Sequence, residues 1–251
     1  MSDALNFWLD ASAVHSEWRP VLREVLTQVD QGYLEELKND PDWLPGPSKL
    51  LAAFQRDLSH CHYILFGESP YPRAESANGI AFHDAAVTDL WSEKGLSKSV
   101  NRATSLRNIL KTALLAEGLI QANADGSIPQ SLITEVNKDK LIQTIEELFS
   151  ALHANGFLML NATPVLHSQR PVPREARYWT RFSESLLEHI ADQIPNLPTL
   201  VLWGKIAEKI IAYPVSQRFP ILRCEHPYNL SFIHNPDMLK LFAELKLLHH
   251  E

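Results

Sequence analysis

Apolar residues recur every three or four positions along much of the chain, and between these stretches lie short runs that are apolar almost throughout. Val21, Leu22, Val25, Leu26 and Val29 mark one stripe of a helix. The segment 106–115 repeats that spacing, as does the set Leu141, Ile142, Ile145, Leu148, Phe149 and Leu152. A Pro-rich connection over 41–47 separates the first helix from a second predicted through Leu50 and Phe54. The compact runs are 62–66, 157–160, 200–203 and 221–223, and each reads as a strand buried on both faces. Further helices are predicted over about 176–194, 205–211 and 238–248. Strands separated by helices predict an α/β fold, a three-layer α/β/α sandwich around a central four-stranded, mostly parallel sheet. No repeat or low-complexity linker interrupts it, so residues 1–251 are expected to form a single domain.

Ligands of such sheets bind beyond the carboxyl ends of the strands. The residues there are polar and specific: Gly67-Glu68-Ser69-Pro70-Tyr71, Asn161-Ala162-Thr163-Pro164, Gly204-Lys205 and Glu225-His226-Pro227-Tyr228-Asn229-Leu230-Ser231. Each has a structural alternative. Glu68 and Ser69 precede a proline and fit a turn whose amides face a ligand. Asn161 offers a donor and an acceptor side by side, which suits a pyrimidine edge or neighbouring backbone. His226 is either a satisfied core histidine or an acid, and Tyr71 and Phe82 are either core or stacking surfaces. Ser69 lacks a Gly-x-Ser-x-Gly elbow, which disfavours a hydrolase nucleophile.

Composition narrows the classes. Apolar residues make up 45% and charged residues 21%, as in a globular protein with a sizeable core. No apolar run approaches the roughly 20 residues that cross a bilayer, and the start lacks a signal-peptide pattern, so a cytoplasmic protein without membrane contact is expected. Cys61 and Cys224 cannot form a disulfide framework, and the histidines lack ligand spacing, so no metal site is expected. With 23 basic and 30 acidic residues the formal charge is −7, which confines any nucleic-acid contact to a local patch. The candidate patch is Arg170, Arg174, Arg177 and Arg181 with Tyr178 and Trp179, either a solvated helix face or a phosphate-and-base platform.

Taken in chain order, the strand-end segments resemble those of the main uracil-DNA glycosylase family. That family reads Gly-Gln-Asp-Pro-Tyr-His and runs on to Gly-Leu-x-Phe. Here the counterpart is Gly67-Glu68-Ser69-Pro70-Tyr71-Pro72, running on to Gly79-Ile80-Ala81-Phe82 without a gap. Ser105-Leu106-Arg107-Asn108-Ile109, the strand ending in Asn161, Leu202-Trp203-Gly204 and His226-Pro227-x-x-Leu230-Ser231 are similar as well. The resemblance implies a monomeric, cofactor-free enzyme that flips uracil or a related damaged base out of single- or double-stranded DNA and hydrolyses its glycosidic bond. It implies that Phe82 stacks on the base, Asn161 reads its edge, Tyr71 refuses a methyl at ring position 5, and His226 donates to the oxygen that gathers charge. Leu230 is implied as the wedge, with Ser105 and Ser231 on DNA; on so acidic a surface, Arg170, Arg174 and Arg177 are expected to compensate for phosphate contacts that the altered loops lack.

This chain departs from the family where the Asp that faces the sugar cation aligns with Ser69. The neighbouring Glu68 is the available carboxylate, as in the Gly-Glu-x-Pro motif of a related iron–sulfur glycosylase family. Pro72, Ala103-Thr104 and Tyr228-Asn229 also differ from the family's backbone-pinching loops. Two expectations result: a divergent glycosylase working through His226 and Glu68 beside Ser69, or a catalytically silent relative that binds DNA or a protein partner.

Overall fold

A computed structural model describes residues 2–40 and 42–250. Met1, Pro41 and Glu251 lie outside the described residues, the first proline of the Pro-rich connection among them. The main sheet contains β1 (Tyr63–Gly67), β2 (Phe157–Asn161), β3 (Thr199–Trp203) and β4 (Ile221–Cys224), in the order β2-β1-β3-β4. The strands are parallel, with Tyr63 opposite both Phe157 and Thr199, and helices flank the sheet as the strand–helix alternation predicts. Ile64, Leu65, Phe66, Leu158, Met159, Leu200 and Val201 are all buried, as required of strands covered on both faces; β4 departs from that expectation, because it is the edge strand and its residues alternate between exposed and half-buried.

Two compact units divide the described chain, and each draws on separated stretches of sequence. The first comprises the chain up to Asp84, Gly156–Leu202 and Ile206–Ile221; the second comprises Ala85–Asn155, Trp203–Lys205 and the chain from Leu222. In the first, Trp8, Trp18, Leu22, Phe54, Trp179 and Leu186 belong to one apolar core together with Ile64 and Leu200 of the sheet. In the second, Trp203 packs edge-on against Phe232 at 5.2 Å, and its indole N–H meets the Met238 sulfur at 3.2 Å.

Several element boundaries differ from those expected: the first stripe's helix is Trp18–Leu26, ending short of Val29, and the last helix is Pro236–Leu245. The helix expected to include Leu141 and Ile142 begins at Ile145, because Thr144 and Glu147 form a reciprocal capping box that fixes its start. The long helix runs Val172–Gln193, four residues earlier than expected, since a proline in the first turn needs no intrahelical donor. Only a 3₁₀ turn, Ala52–Phe54, stands where a helix through Leu50 and Phe54 is predicted. Helices Ser2–Ala11 and Gln31–Asn39 are additional to those expected; each is short, with its apolar face limited to Leu5, Trp8 and Leu9 in one and Tyr33, Leu34 and Leu37 in the other.

Candidate active site

The first unit gathers candidate residues at the end of β1. Register sets Gly67 opposite Asn161, the last residue of β2, and the pairing continues beyond both strands. The amides of Ala162 and Thr163 donate to the carbonyls of Gly67 and Glu68 at 2.9 Å each. A Cβ on Gly67 would stand 2.9 Å from Asn161 Oδ1, 3.0 Å from Ala81 Cβ and 3.7 Å from the Phe82 ring. The missing side chain therefore lets an amide and an aromatic ring converge on one strand end.

Phe82 has φ +65°, a left-handed conformation that a bulky residue adopts only at a cost. The approach to it passes Gly79, at φ +86°, where a Cβ would fall 1.9 Å from the Lys49 carbonyl oxygen and no other residue fits. Tyr71 donates its hydroxyl to the Phe82 carbonyl at 3.4 Å. Burial pushes the Tyr71 phenol up to about 12, so it remains a neutral donor. Arg73 and Asp84 close the base of this segment with an ion pair at 3.3 Å. Tyr71, Phe82 and Asn161 are thus brought together around Gly67.

Glu68 is turned elsewhere. Its side chain is 66% exposed and its carboxylate stands 3.6 Å from Lys209 Nζ, on the helix Ile206–Ile211. Ser69 is half-buried and Pro70 buried.

The second unit presents His226 just past β4. A Cβ on Gly204, which has φ +76°, would come within 2.7 Å of the His226 Cβ, so glycine there admits the histidine. The backbone N–H of Tyr228 donates to His226 Nδ1 at 3.1 Å. Nδ1 is therefore the acceptor nitrogen, and the neutral ring carries its proton on Nε2. The buried amide of Asn108 holds this loop from below, donating to the carbonyls of Pro227 at 2.7 Å and Asn229 at 3.3 Å.

Leu230 and Ser231 open the 3₁₀ turn Leu230–His234, both exposed, with Leu230 68% accessible. Burial pushes the Glu225 carboxyl up, but hydrogen bonds from its own amide, Ser231 and Asn235 outweigh it and leave Glu225 below the usual carboxylate range. Ser105 is half-buried in the first turn of the helix Thr104–Ala116.

The three arginines have different surroundings. Arg174 and Arg177 are exposed on the first turns of Val172–Gln193. Arg170 is largely buried, ion-paired with Glu175 through Nε at 2.6 Å and donating from Nη1 to Glu36 at 2.7 Å, with its guanidinium 5.4 Å from the Tyr33 ring centre. Glu175 is fully buried and also accepts from the Tyr33 hydroxyl, which in turn accepts from Trp179 Nε1 at 3.0 Å. Arg170 neutralises a carboxylate inside the fold, a use that its spacing from Arg174 and Arg177 does not reveal. Lys209 carries no sequence signal of its place opposite Glu68. Asn108, by contrast, falls within the Ser105–Ile109 motif, but reading that motif does not disclose its bonds to the distant loop.

Comparison with known proteins adds a further finding. The chain is 36% identical to the wild-type UNG of Nitratifractor salsuginis, whose crystal structure it matches with a TM-score of 0.92 over 99% of this chain and 98% of that one. It is 24% identical over 230 residues to the uracil-DNA glycosylase of Flavobacterium johnsoniae, covering 87% of this chain and 85% of the relative. Against the enzyme of that name from Helicobacter pylori strain Shi470 it is 27% identical, covering 88% of this chain and 86% of the relative. The mimivirus uracil-DNA glycosylase shares the fold at 17% identity and a TM-score of 0.57, over 90% of this chain and 73% of that one. No protein-family model matches the chain.

Proposed function

From the chain's membership of the uracil-DNA glycosylase superfamily, we propose that it excises uracil or a closely related deaminated base from DNA, with Glu68 supplying the carboxylate that Ser69 cannot. The observation that carries this reading is the convergence of Asn161 and Phe82 on Gly67, with Tyr71 bonded to the Phe82 backbone. An amide edge beside an aromatic face is what a flipped pyrimidine requires.

In this reading the base stacks on Phe82 and is read by the Asn161 amide, while Tyr71 crowds ring position 5. A water oxygen bonds to the sugar C1′, and the glycosidic bond breaks with its electron pair leaving on the base. Water's proton passes to Glu68. Nε2–H of His226 donates to the base oxygen where that charge gathers, a bond that strengthens only as the glycosidic bond breaks. The Tyr228 amide keeps His226 in the required tautomer.

Glu68 pairs with Lys209 in the protein alone. Exposed pairs of this kind contribute only about 0–1 kcal/mol, so turning the carboxylate toward the sugar costs little. Arg174, Arg177, Ser105 and Ser231 are assigned to the DNA backbone and Leu230 to the gap the base leaves. The protein acts as a monomer in the cytoplasm.

Incubation with uracil-containing oligonucleotides at low salt, followed by chromatography of the released base, tests the reading. Free uracil from the parent is expected, and its absence from every single- and double-stranded substrate overturns the proposal. A catalytically silent DNA-binding protein is the second reading, favoured by the outward placement of Glu68 against Lys209.

A further inference from the structure

Tyr228 is 68% exposed, as is Leu230 two positions on, and with Ile221 they are the exposed large hydrophobic side chains among the described residues. Water contact over a phenol ring forgoes burial worth roughly 25 cal/mol per Å² of apolar surface. Such exposure on a loose loop would be unremarkable, but this loop is held at several points. Asn108 donates to the carbonyls of Pro227 and Asn229, the Tyr228 amide donates to His226 Nδ1, and the Asn229 amide donates to the His226 carbonyl at 2.9 Å. The ring is therefore presented by a fixed backbone, and little ordering entropy remains to be lost when something covers it.

We propose that Tyr228 is a base-stacking residue, which takes the face of a nucleobase adjoining the extruded nucleotide. This inference rests on the DNA reading above. Two residues span at most about 7 Å of chain, while successive bases lie about 3.4 Å apart along a strand. A ring two positions from Leu230 thus reaches a base within one or two steps of the gap that Leu230 fills. The charge of the molecule points the same way. At −7 overall, the chain attracts a polyanion weakly. Stacking supplies affinity that needs no positive charge and is sequence-tolerant, because every base has a π face.

The test is binding of oligonucleotides that carry a tetrahydrofuran abasic analogue, which cannot be cut, with 2-aminopurine beside the analogue. Anisotropy reports affinity and 2-aminopurine fluorescence reports stacking. Tyr228→Ala is expected to weaken binding by about 5- to 150-fold, the range corresponding to the loss of one base–aromatic stack, and to abolish the quenching. Tyr228→Phe should retain both. The slope of log affinity against log salt should be the same in the parent and Tyr228→Ala, whereas loss of a phosphate contact would reduce it by about one. Parent-like affinity in Tyr228→Ala, a changed salt slope, unquenched 2-aminopurine in the parent, or no binding of DNA by the parent each overturns the proposal. Failure of the glycosylase reading looks different: binding and quenching persist while no base is released.

Discussion

Asn108 is the residue whose replacement best separates loop support from chemistry. Its side chain is buried in the helix Thr104–Ala116, and its Nδ2 donates to the carbonyls of Pro227 and Asn229 across more than a hundred residues of sequence. Asn108→Ala removes the donor and leaves those carbonyls without it, at a cost of about 1–3 kcal/mol for a buried group that loses its partner. Asn108→Asp keeps the shape but turns an acceptor toward acceptors, so it should cost more than alanine despite being the smaller change in volume. Urea unfolding measures both. Hydrogen exchange supplies the local readout, because the Tyr228 and Asn229 amides donate to His226 Nδ1 and its carbonyl and should lose protection as the loop loosens. Base release should fall in both variants, since a loosened loop no longer fixes the His226 tautomer. Equal stability of parent and Asn108→Asp, with unchanged exchange at Tyr228 and Asn229, would refute the argument.

Other outcomes follow from the same geometry. Gly67→Ala puts a Cβ 2.9 Å from Asn161 Oδ1 and displaces the amide, so base release should drop by about 10²-fold, as for an ångström-scale misplacement, with stability measured alongside. Arg170→Ala leaves Glu175 buried without its cation and should destabilise by about 3–5 kcal/mol, whereas Arg174→Ala and Arg177→Ala should leave the urea midpoint unchanged and lower DNA affinity and its salt slope. Burial raises Glu117 to about 7 from an ordinary 4.5, against the opposing influence of the Leu247 and Leu248 amides and Lys246, with His249 3.5 Å away. The folded protein then binds a proton between those values that the unfolded chain does not, so stability falls as pH rises from about 4.5 to 7. Glu117→Gln should flatten that slope in unfolding curves taken across the range.

What the chain discloses on reading is its local order. Three of the strands stand out because residues buried on both faces make unbroken apolar runs, whereas the edge strand β4 is half-exposed and includes Arg223; Gly67 and Asn161 mark where two of the buried ones stop. The candidate residues Tyr71 and Asn161 are legible for the same reason, since strand ends are where such sheets bind ligands, whereas Phe82 lies well past the strand and is marked by the family resemblance alone. Other features depend on partners far away in sequence. Arg170 looks like one of a row of exposed cations until Glu36 and Glu175 are seen beside it. Glu68 has no visible partner until the fold brings Lys209 opposite. The start of the helix at Ile145 was legible in the Thr144-x-x-Glu147 spacing, yet the apolar phase of Leu141 and Ile142 extends the pattern past the cap. Periodicity records which side of an element is apolar, and a capping box or an ion pair overrides it at single positions.

The account turns on where the catalytic carboxylate resides. Alkaline cleavage of abasic sites after incubation with uracil-containing single and double strands, run in parallel on the parent, Glu68→Gln and Ser69→Asp, addresses that directly. The account predicts that the parent cuts and that Glu68→Gln loses about 10²- to 10⁴-fold, as expected for removal of a proton-transfer group. Cutting by Ser69→Asp alone, with an inert parent, would contradict it and leave a base-binding fold without its chemistry.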